Sequence, residues 1–414
     1  MAHVLFAWEL GAGYGHLHQM RVIARELLAL GHRTSFAVPD PDQARPVLAL
    51  PDAEIHAIPM LRPEPDEAGF ADSYAEVLLR CGYRDPSQIR RGSRRWRRML
   101  EAIQPALIIA DFSPLAMLAA RVTGTRLATI GNGYILPPPV TPLPFTRAWA
   151  LADPVRLAEQ EAEALSAINA ALDARALGGR ALGGRALGGR ALDRLAALFD
   201  AEATFLCTFP ELDQYEHRGP AEYWGALYET GMGQAPAWPA GDGRKVFGYL
   251  SADHPAFPAQ IAALKRAGVP ALLHAPGLDE AQAADLSGAT LTVSAQPLHV
   301  AATLAACDIV IGQGAGLISA ALIAGKPVLQ LPAHLEQIMT LHRVARQGLG
   351  LGVPREAGAD TILAILNRVL HEPAFTDNAG RFAAHYEGYA PALTAAAIAE
   401  SCNAIVGNDV LIKD

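Results

Sequence analysis

GAGYGHLHQM (Gly11–Met20) follows the apolar run HVLFAW (His3–Trp8) and precedes the amphipathic run RVIARELLAL (Arg21–Leu30). Three glycines at a strand-to-helix turn are the usual material of a phosphate loop, since backbone N–H groups approach an anion where no side chain intervenes. A dinucleotide loop would carry its third glycine where this chain has His16, and His18 follows. The stretch therefore poses a choice between phosphate contact and proton chemistry.

Outward from it, strand-like and helix-like runs alternate. Met20, Ile23, Ala24, Leu27 and Leu28 recur at helical spacing and predict the buried face of a helix from Leu17 to Leu30, with Gly31 as its stop. RTSFAV (Arg33–Val38), EIHAI (Glu54–Ile58), ALIIAD (Ala106–Asp111) and RLATIG (Arg126–Gly131) read as further strands. The alternation restarts with KVFGYL, VPALLHA, ATLTV, CDIVIG and KPVLQLP after Lys245. Repeated strand–helix–strand units imply doubly wound parallel sheets, here two Rossmann-like α/β domains. The expected division is a first domain over 1–230, a Gly/Pro-rich linker at 231–243, a second domain over 244–392, and a terminal helix from 393 to 414 crossing back to the first.

The totals bound the function. A chain of 414 residues suggests two cores, and half of its residues are hydrophobic. A net charge of −8 argues against a general nucleic-acid binder. Cys81, Cys207, Cys307 and Cys402 share no metal-ligand spacing, and they read as reduced thiols of a cytoplasmic protein. No apolar run reaches the length of a membrane span, and no signal sequence is evident. RALGGRALGGRALGGRALDRL (175–195) is a five-residue repeat whose paired glycines cannot sustain a helix, so a surface insert is expected. The run IRRGSRRWRR (Ile89–Arg98) holds six arginines around Trp96 and reads first as a solvated helix face. Its second reading, over Arg90 to Arg98, is a patch for an anionic acceptor or a lipid surface.

A second glycine cluster, IGQGAGLISAALIAGKP (Ile311–Pro327), runs from a strand into a helix, which suits its amides to a pyrophosphate. Downstream, Glu336 and Gln337 follow a buried strand at the sheet edge where ligands bind, and they offer acceptors and donors to sugar hydroxyls.

The order of these parts resembles the inverting, metal-independent glycosyltransferases of the GT-B fold. These include the UDP-glycosyltransferase superfamily of natural-product and macrolide glycosylation and, more distantly, the N-acetylglucosaminyltransferase that forms lipid II. The strand-to-loop "GH" is matched by Gly15-His16, "PDLIIAD" by PALIIAD ending at Asp111, and "HGGAGT…EALAAGVP" by GQGAGLISAALIAGKP. The family's "P…DQ" is matched by PAHLEQ, and its "PELD" by FPELD near Phe209. The resemblance implies two Rossmann-like doubly wound domains with a cleft between them, and a sugar moved from a nucleoside diphosphate, UDP- or dTDP-linked, to a small-molecule or lipid-like acceptor. It implies no metal and no resident cofactor, the nucleotide sugar being a co-substrate.

By the same resemblance His16 is the general base, a role suited to an imidazole that titrates near neutral pH, and Asp111 orients it. Ser251, Gly312, Gln313, Gly314, Ala315 and Gly316 border the phosphates, Gln296 and Leu298 the base, and Glu336 and Gln337 the sugar. Gly15, His18 and Tyr134 line the acceptor, near GNGYILPPPV (Gly131–Val140) and the segment from Asp66 to Tyr83. Taken without the resemblance, Asp111 also reads as an N-cap for a helix from Pro114. The chain departs from the pattern where Gly312 stands in place of the phosphate-touching histidine, Ala295 in place of a stacking aromatic and Thr340 in place of an asparagine. Two competing readings follow, a GT-B epimerase or hydrolase and a non-catalytic nucleotide-sugar binder. An NAD-dependent dehydrogenase is disfavoured by the absent third glycine.

Overall fold

The computed structural model describes residues 1–11, 13–64, 69–172 and 191–407. The chain divides into two compact units, Met1–Leu227 with Ala392–Asp414, and Tyr228–Pro391. Most of the repeat at 175–195 lies outside the described residues, as does Asp66. From the end of that repeat, Leu192 is buried and exchanges two hydrogen bonds with the Asn169 side chain.

The first unit is a six-stranded sheet of β1 (His3–Trp8), β2 (Arg33–Val38), β3 (Glu54–Ala57), β4 (Leu107–Asp111), β5 (Arg126–Gly131) and β6 (Ala203–Leu206). Its order is β3-β2-β1-β4-β5-β6 and every pairing is parallel. The chain winds outward from β1 in one direction and returns at β4 to wind in the other, so the loops after β1 and β4 part and leave a crevice at the carboxyl edge. The register sets Trp8 beside Asp111 at that edge.

The helix Gly15–Ala29 packs on β1 through Leu17, Met20, Ile23, Ala24 and Leu27. Leu28, expected on this face, is 43% exposed. Residues 17, 20, 24 and 27 form one stripe at helical spacing, and Leu28 stands about 100° further round. Gly31, at φ +83°, ends the helix, with His32 N–H donating to Leu27 O and Gly31 N–H to Leu28 O. The arginine-rich segment forms the helix Pro86–Ile103, which buries Ile89, Gly92, Ser93, Trp96 and Leu100 and turns most of its arginines outward. The helix Pro391–Gly407 closes the core of this unit with Ala395, Ile398, Ala399 and Cys402.

The second unit repeats the plan with β7 (Val246–Tyr249), β8 (Ala271–His274), β9 (Leu291–Ser294), β10 (Ile309–Gly312), β11 (Val328–Gln330) and β12 (Gly350–Gly352). The order β12-β11-β10-β7-β8-β9 places its crevice between β7 and β10. The segment expected as a linker at 231–243 falls inside this unit. Gln234 N–H donates to Pro297 O, and His299 N–H donates to Gln234 O. Gly233, at φ +103°, lies so close to this segment that a Cβ there would stand 2.6 Å from Pro297 O. Among the described residues, no helix is long and apolar enough to cross a membrane.

Candidate active site

In the first unit the crevice between β1 and β4 holds an imidazole–carboxylate pair. His16, in the first turn of the helix after β1, places Nδ1 3.0 Å from Oδ1 of Asp111, the last residue of β4. Asp111 is fully buried, whereas the His16 side chain is 15% exposed. Gln19, one turn further along the helix, donates from Nε2 to Asp111 Oδ2 at 3.3 Å. The His16 ring stacks on Trp8 with centroids 5.0 Å apart and an interplanar angle of 20°. An Nδ1–H donating to the carboxylate leaves Nε2 as the acceptor and holds the imidazole in one tautomer. Asp111 caps no helix: the helix Pro114–Thr123 has Ser113 at its N-cap.

The glycines of the opening loop separate in role. Gly11 has φ +87°, and a Cβ there would lie 3.0 Å from His16 Nε2 and 3.3 Å from Phe112 Cδ1. Gly15, the one next to His16, has nothing within 4 Å of a Cβ position. Phe112 follows Asp111 in the left-handed region at φ +46° and meets Tyr134 edge-on, ring centroids 6.0 Å apart. Tyr134 is thus joined through Phe112 to the His16 surroundings. His18 stands apart from them, since two residues along a helix turn it to another face. Its Nδ1 accepts from Arg21, which also donates to Val47 O. Burial, with Arg21 beside it, pushes the His18 pKa down to about 4.

In the second unit, β10 ends at Gly312, and the helix Ala315–Ile323 begins after an exposed Gly314 N-cap. No side chain caps this helix and no acidic residue lies in its first turn, so Ala315 and Gly316 present their amides at a positive helix end. Gln313 has a buried Nε2 with no hydrogen-bond partner among the described residues. The space a side chain at 312 would need is taken by Leu317, whose Cδ2 is 2.8 Å from a Cβ built there. Ser251 lies in the loop after β7, where its Oγ accepts from Asp253 N–H at 3.4 Å.

The remaining residues expected at the donor are more engaged than their sequence positions suggest. Gln296 donates to Glu280 Oε1 at 3.0 Å, and Leu298 is buried. Gln337 is buried in the first turn of the helix Leu335–Arg346 and accepts from Ala333 N–H at 2.7 Å, which closes the loop before the helix. Glu336, beside it in that turn, accepts from Thr340 Oγ1 through its backbone oxygen at 3.0 Å.

Sequence reasoning missed Trp8, Gln19, Phe112 and, beside Gly312 in the β10–β11 register, the fully buried Gln330. Gln19 was findable, because i+3 from His16 on a helix shares its face. Phe112 was not, because a left-handed phenylalanine has no sequence signature.

Solved structures of glycosyltransferases align over nearly the whole chain. A spinosyn rhamnosyltransferase complexed with spinosyn aglycone is 17% identical, with 95% of this chain and 98% of that one covered at a TM-score of 0.62. The glycosyltransferase SnogD from Streptomyces nogalater is 20% identical over 96% and 98% at a TM-score of 0.59. The glycosyltransferase VinC in complex with dTDP is 16% identical over 98% and 100% at 0.62. The chain has the fold of these proteins, the two-unit GT-B α/β fold. No protein-family model and no curated protein matches the sequence, so the likeness is one of fold.

Proposed function

We propose that this chain is a metal-independent, inverting glycosyltransferase of the natural-product type. It moves a sugar from a dTDP- or UDP-linked donor to a hydroxyl of a small-molecule acceptor. The observation that carries the reading is the His16–Asp111 pair, 3.0 Å apart at the topological switch point of the first unit. VinC is solved with dTDP and the rhamnosyltransferase with an aglycone, and both support this choice of co-substrates.

In the proposed step the acceptor O–H gives its proton to His16 Nε2 as its oxygen attacks the anomeric carbon. The bond from that carbon to the diphosphate oxygen breaks with inversion, and the nucleoside diphosphate departs. Buried Asp111 stabilises the imidazolium as it forms, while Trp8 and Gln19 restrict the rotation of ring and carboxylate. The amides of Gly314, Ala315 and Gly316 and the helix end behind them stabilise the charge gathering on the leaving diphosphate. Gln296, Leu298, Glu336 and Gln337 remain the second unit's candidates for base and sugar contact, and Gly15 and Tyr134 the first unit's for the acceptor. His18, turned to another face, is assigned no catalytic part.

The test has two arms. dTDP or UDP should raise the melting temperature by mass action. His16→Ala should lower sugar transfer by about 10²–10⁴-fold, the usual worth of a general base, while leaving that thermal shift in place. Turnover by His16→Ala near the wild-type rate overturns the assignment of the base. Gly312, where the family pattern has a histidine, favours the second reading, a donor-binding protein without turnover. A thermal shift with no transfer to any acceptor in a broad panel would select that reading.

A further inference from the structure

Glu9 is a buried acid that the proposed reaction does not use. It directly follows β1, is 1% exposed, and has no cation paired with it among the described residues. Its two carboxylate oxygens take different partners. Tyr83 O–H donates to Oε1 at 2.7 Å, and Leu115 N–H donates to Oε2 at 2.8 Å.

Leu115 lies in the first turn of the helix Pro114–Thr123, whose N-cap Ser113 makes no side-chain cap bond to it. An orphan helix donor is thus satisfied from the residue that follows the neighbouring strand, and a carboxyl group sits at the positive helix end. Between that helix and Asp111 lie only Phe112 and Ser113. Phe112 is held left-handed, a conformation that costs a non-glycine residue about 1–2 kcal/mol. It persists because the chain is tied on both sides: Leu10 N–H donates to Phe112 O at 2.9 Å, and Glu9 holds Leu115. The ring so placed stands against Gly11, where the His16 ring also converges.

We infer that Glu9 is the positioning residue of the His16–Asp111 pair. Its carboxylate ties the turn after β4 to the end of β1 and so sets the reach from Asp111 to His16. The inference rests on the reading of His16 as the base. A glutamine could not replace the ionised carboxylate present above about pH 7, because both partners are donors and an amide has one acceptor oxygen; its NH₂ would face a donor.

The test reads His16 without any substrate, by the imidazole ¹⁵N NMR titration of the full-length chain. Glu9→Gln should move the His16 midpoint down, in the direction given by Asp111→Asn, because a displaced carboxylate no longer favours the imidazolium. Turnover should fall about 10–100-fold, as expected of an ångström-scale misplacement, with KM for the donor unchanged. Leu100→Ala, a core variant in the helix Pro86–Ile103, controls for lost stability and should leave the titration where it was. Glu9→Asp keeps the charge but cannot span both partners; it replaces the glutamine variant should that one not fold, with the same shift expected. A His16 titration unchanged in the Glu9 variant, or moved equally by Leu100→Ala, overturns the inference. Full activity of His16→Ala would overturn the base assignment and leave the coupling of Glu9 to His16 still readable by NMR.

Discussion

The two units share one topology and furnish its crevice with different groups. Each sheet reverses its winding at the same place, between β1 and β4 in the first and between β7 and β10 in the second. At the first crevice the sheet edge carries side chains: Trp8, His16 and Asp111, with the carboxylate wholly buried. At the second, the loop after β10 is nearly stripped of them, and an uncapped helix end offers backbone amides. A proton acceptor needs a titratable group in a fixed orientation, whereas a diphosphate needs several donors at once and no competing charge. On the proposed reading the same fold serves both, because the strand ends and the turns after them, and not the strand order, carry the difference.

Removing the acid from the first crevice should have the largest effect. Asp111→Asn is expected to lower turnover about 10²–10⁴-fold, close to the loss in His16→Ala, with nucleotide affinity unaltered; steady-state kinetics with a thermal-shift control checks it. Weaker affinity in that variant would mean that the two crevices are not separable.

Next comes the acid behind the pair. Burial raises the Glu9 carboxyl from its ordinary 4.5 to about 7, against the opposing hydrogen bonds from Tyr83 and Leu115. Between those values the folded chain keeps a proton that the unfolded chain has released, so stability falls as pH rises through that window and levels off above it. The wild type should lose about 3 kcal/mol relative to Glu9→Gln between pH 4.5 and 7, measured as the difference between two denaturation series.

In the second crevice, Gly314→Asp should set stability against affinity. The new side chain would cap the helix Ala315–Ile323 and add a few tenths of a kcal/mol, yet its charge would repel a diphosphate and weaken binding about tenfold or more. Calorimetric titration with dTDP decides it. Unchanged affinity would remove the diphosphate from this loop.

The smallest effects separate the glycines of the first loop. Gly11→Ala should cost about 1–2 kcal/mol, since φ is +87° and the new Cβ would press on His16. Gly15→Ala meets nothing and should change stability by only a few tenths of a kcal/mol. Equal losses in thermal unfolding would mean that the loop is held otherwise than by the convergence on Gly11.

Much of the fold was legible because its signals are local. The runs VLFAW, LIIA and IVIG are apolar throughout, as strands buried on both faces must be, and the glycines between strand and helix announce the turns. The stripe of Leu17, Met20, Ile23, Ala24 and Leu27 also follows from helical spacing, although its edge at Leu28 did not. The stretch at 231–243 is a related case. A Gly/Pro-rich stretch without periodicity looks unattached, and only the pairing of Gln234 with the segment after β9 shows that it belongs to the second unit.

The sequence alone determined the order of the strands and helices apart from the short β12, the two glycine loops, and which residue types stand at the ends of β1 and β4, because those follow from hydrophobic period and turn chemistry. The tertiary structure decided the pairing across 95 residues that brings His16 onto Asp111, the left-handed Phe112 beside them, and the engagement of Gln337 and Gln296 with their own surroundings. Such contacts depend on strand register and on which face of a helix turns inward, and no local propensity encodes either.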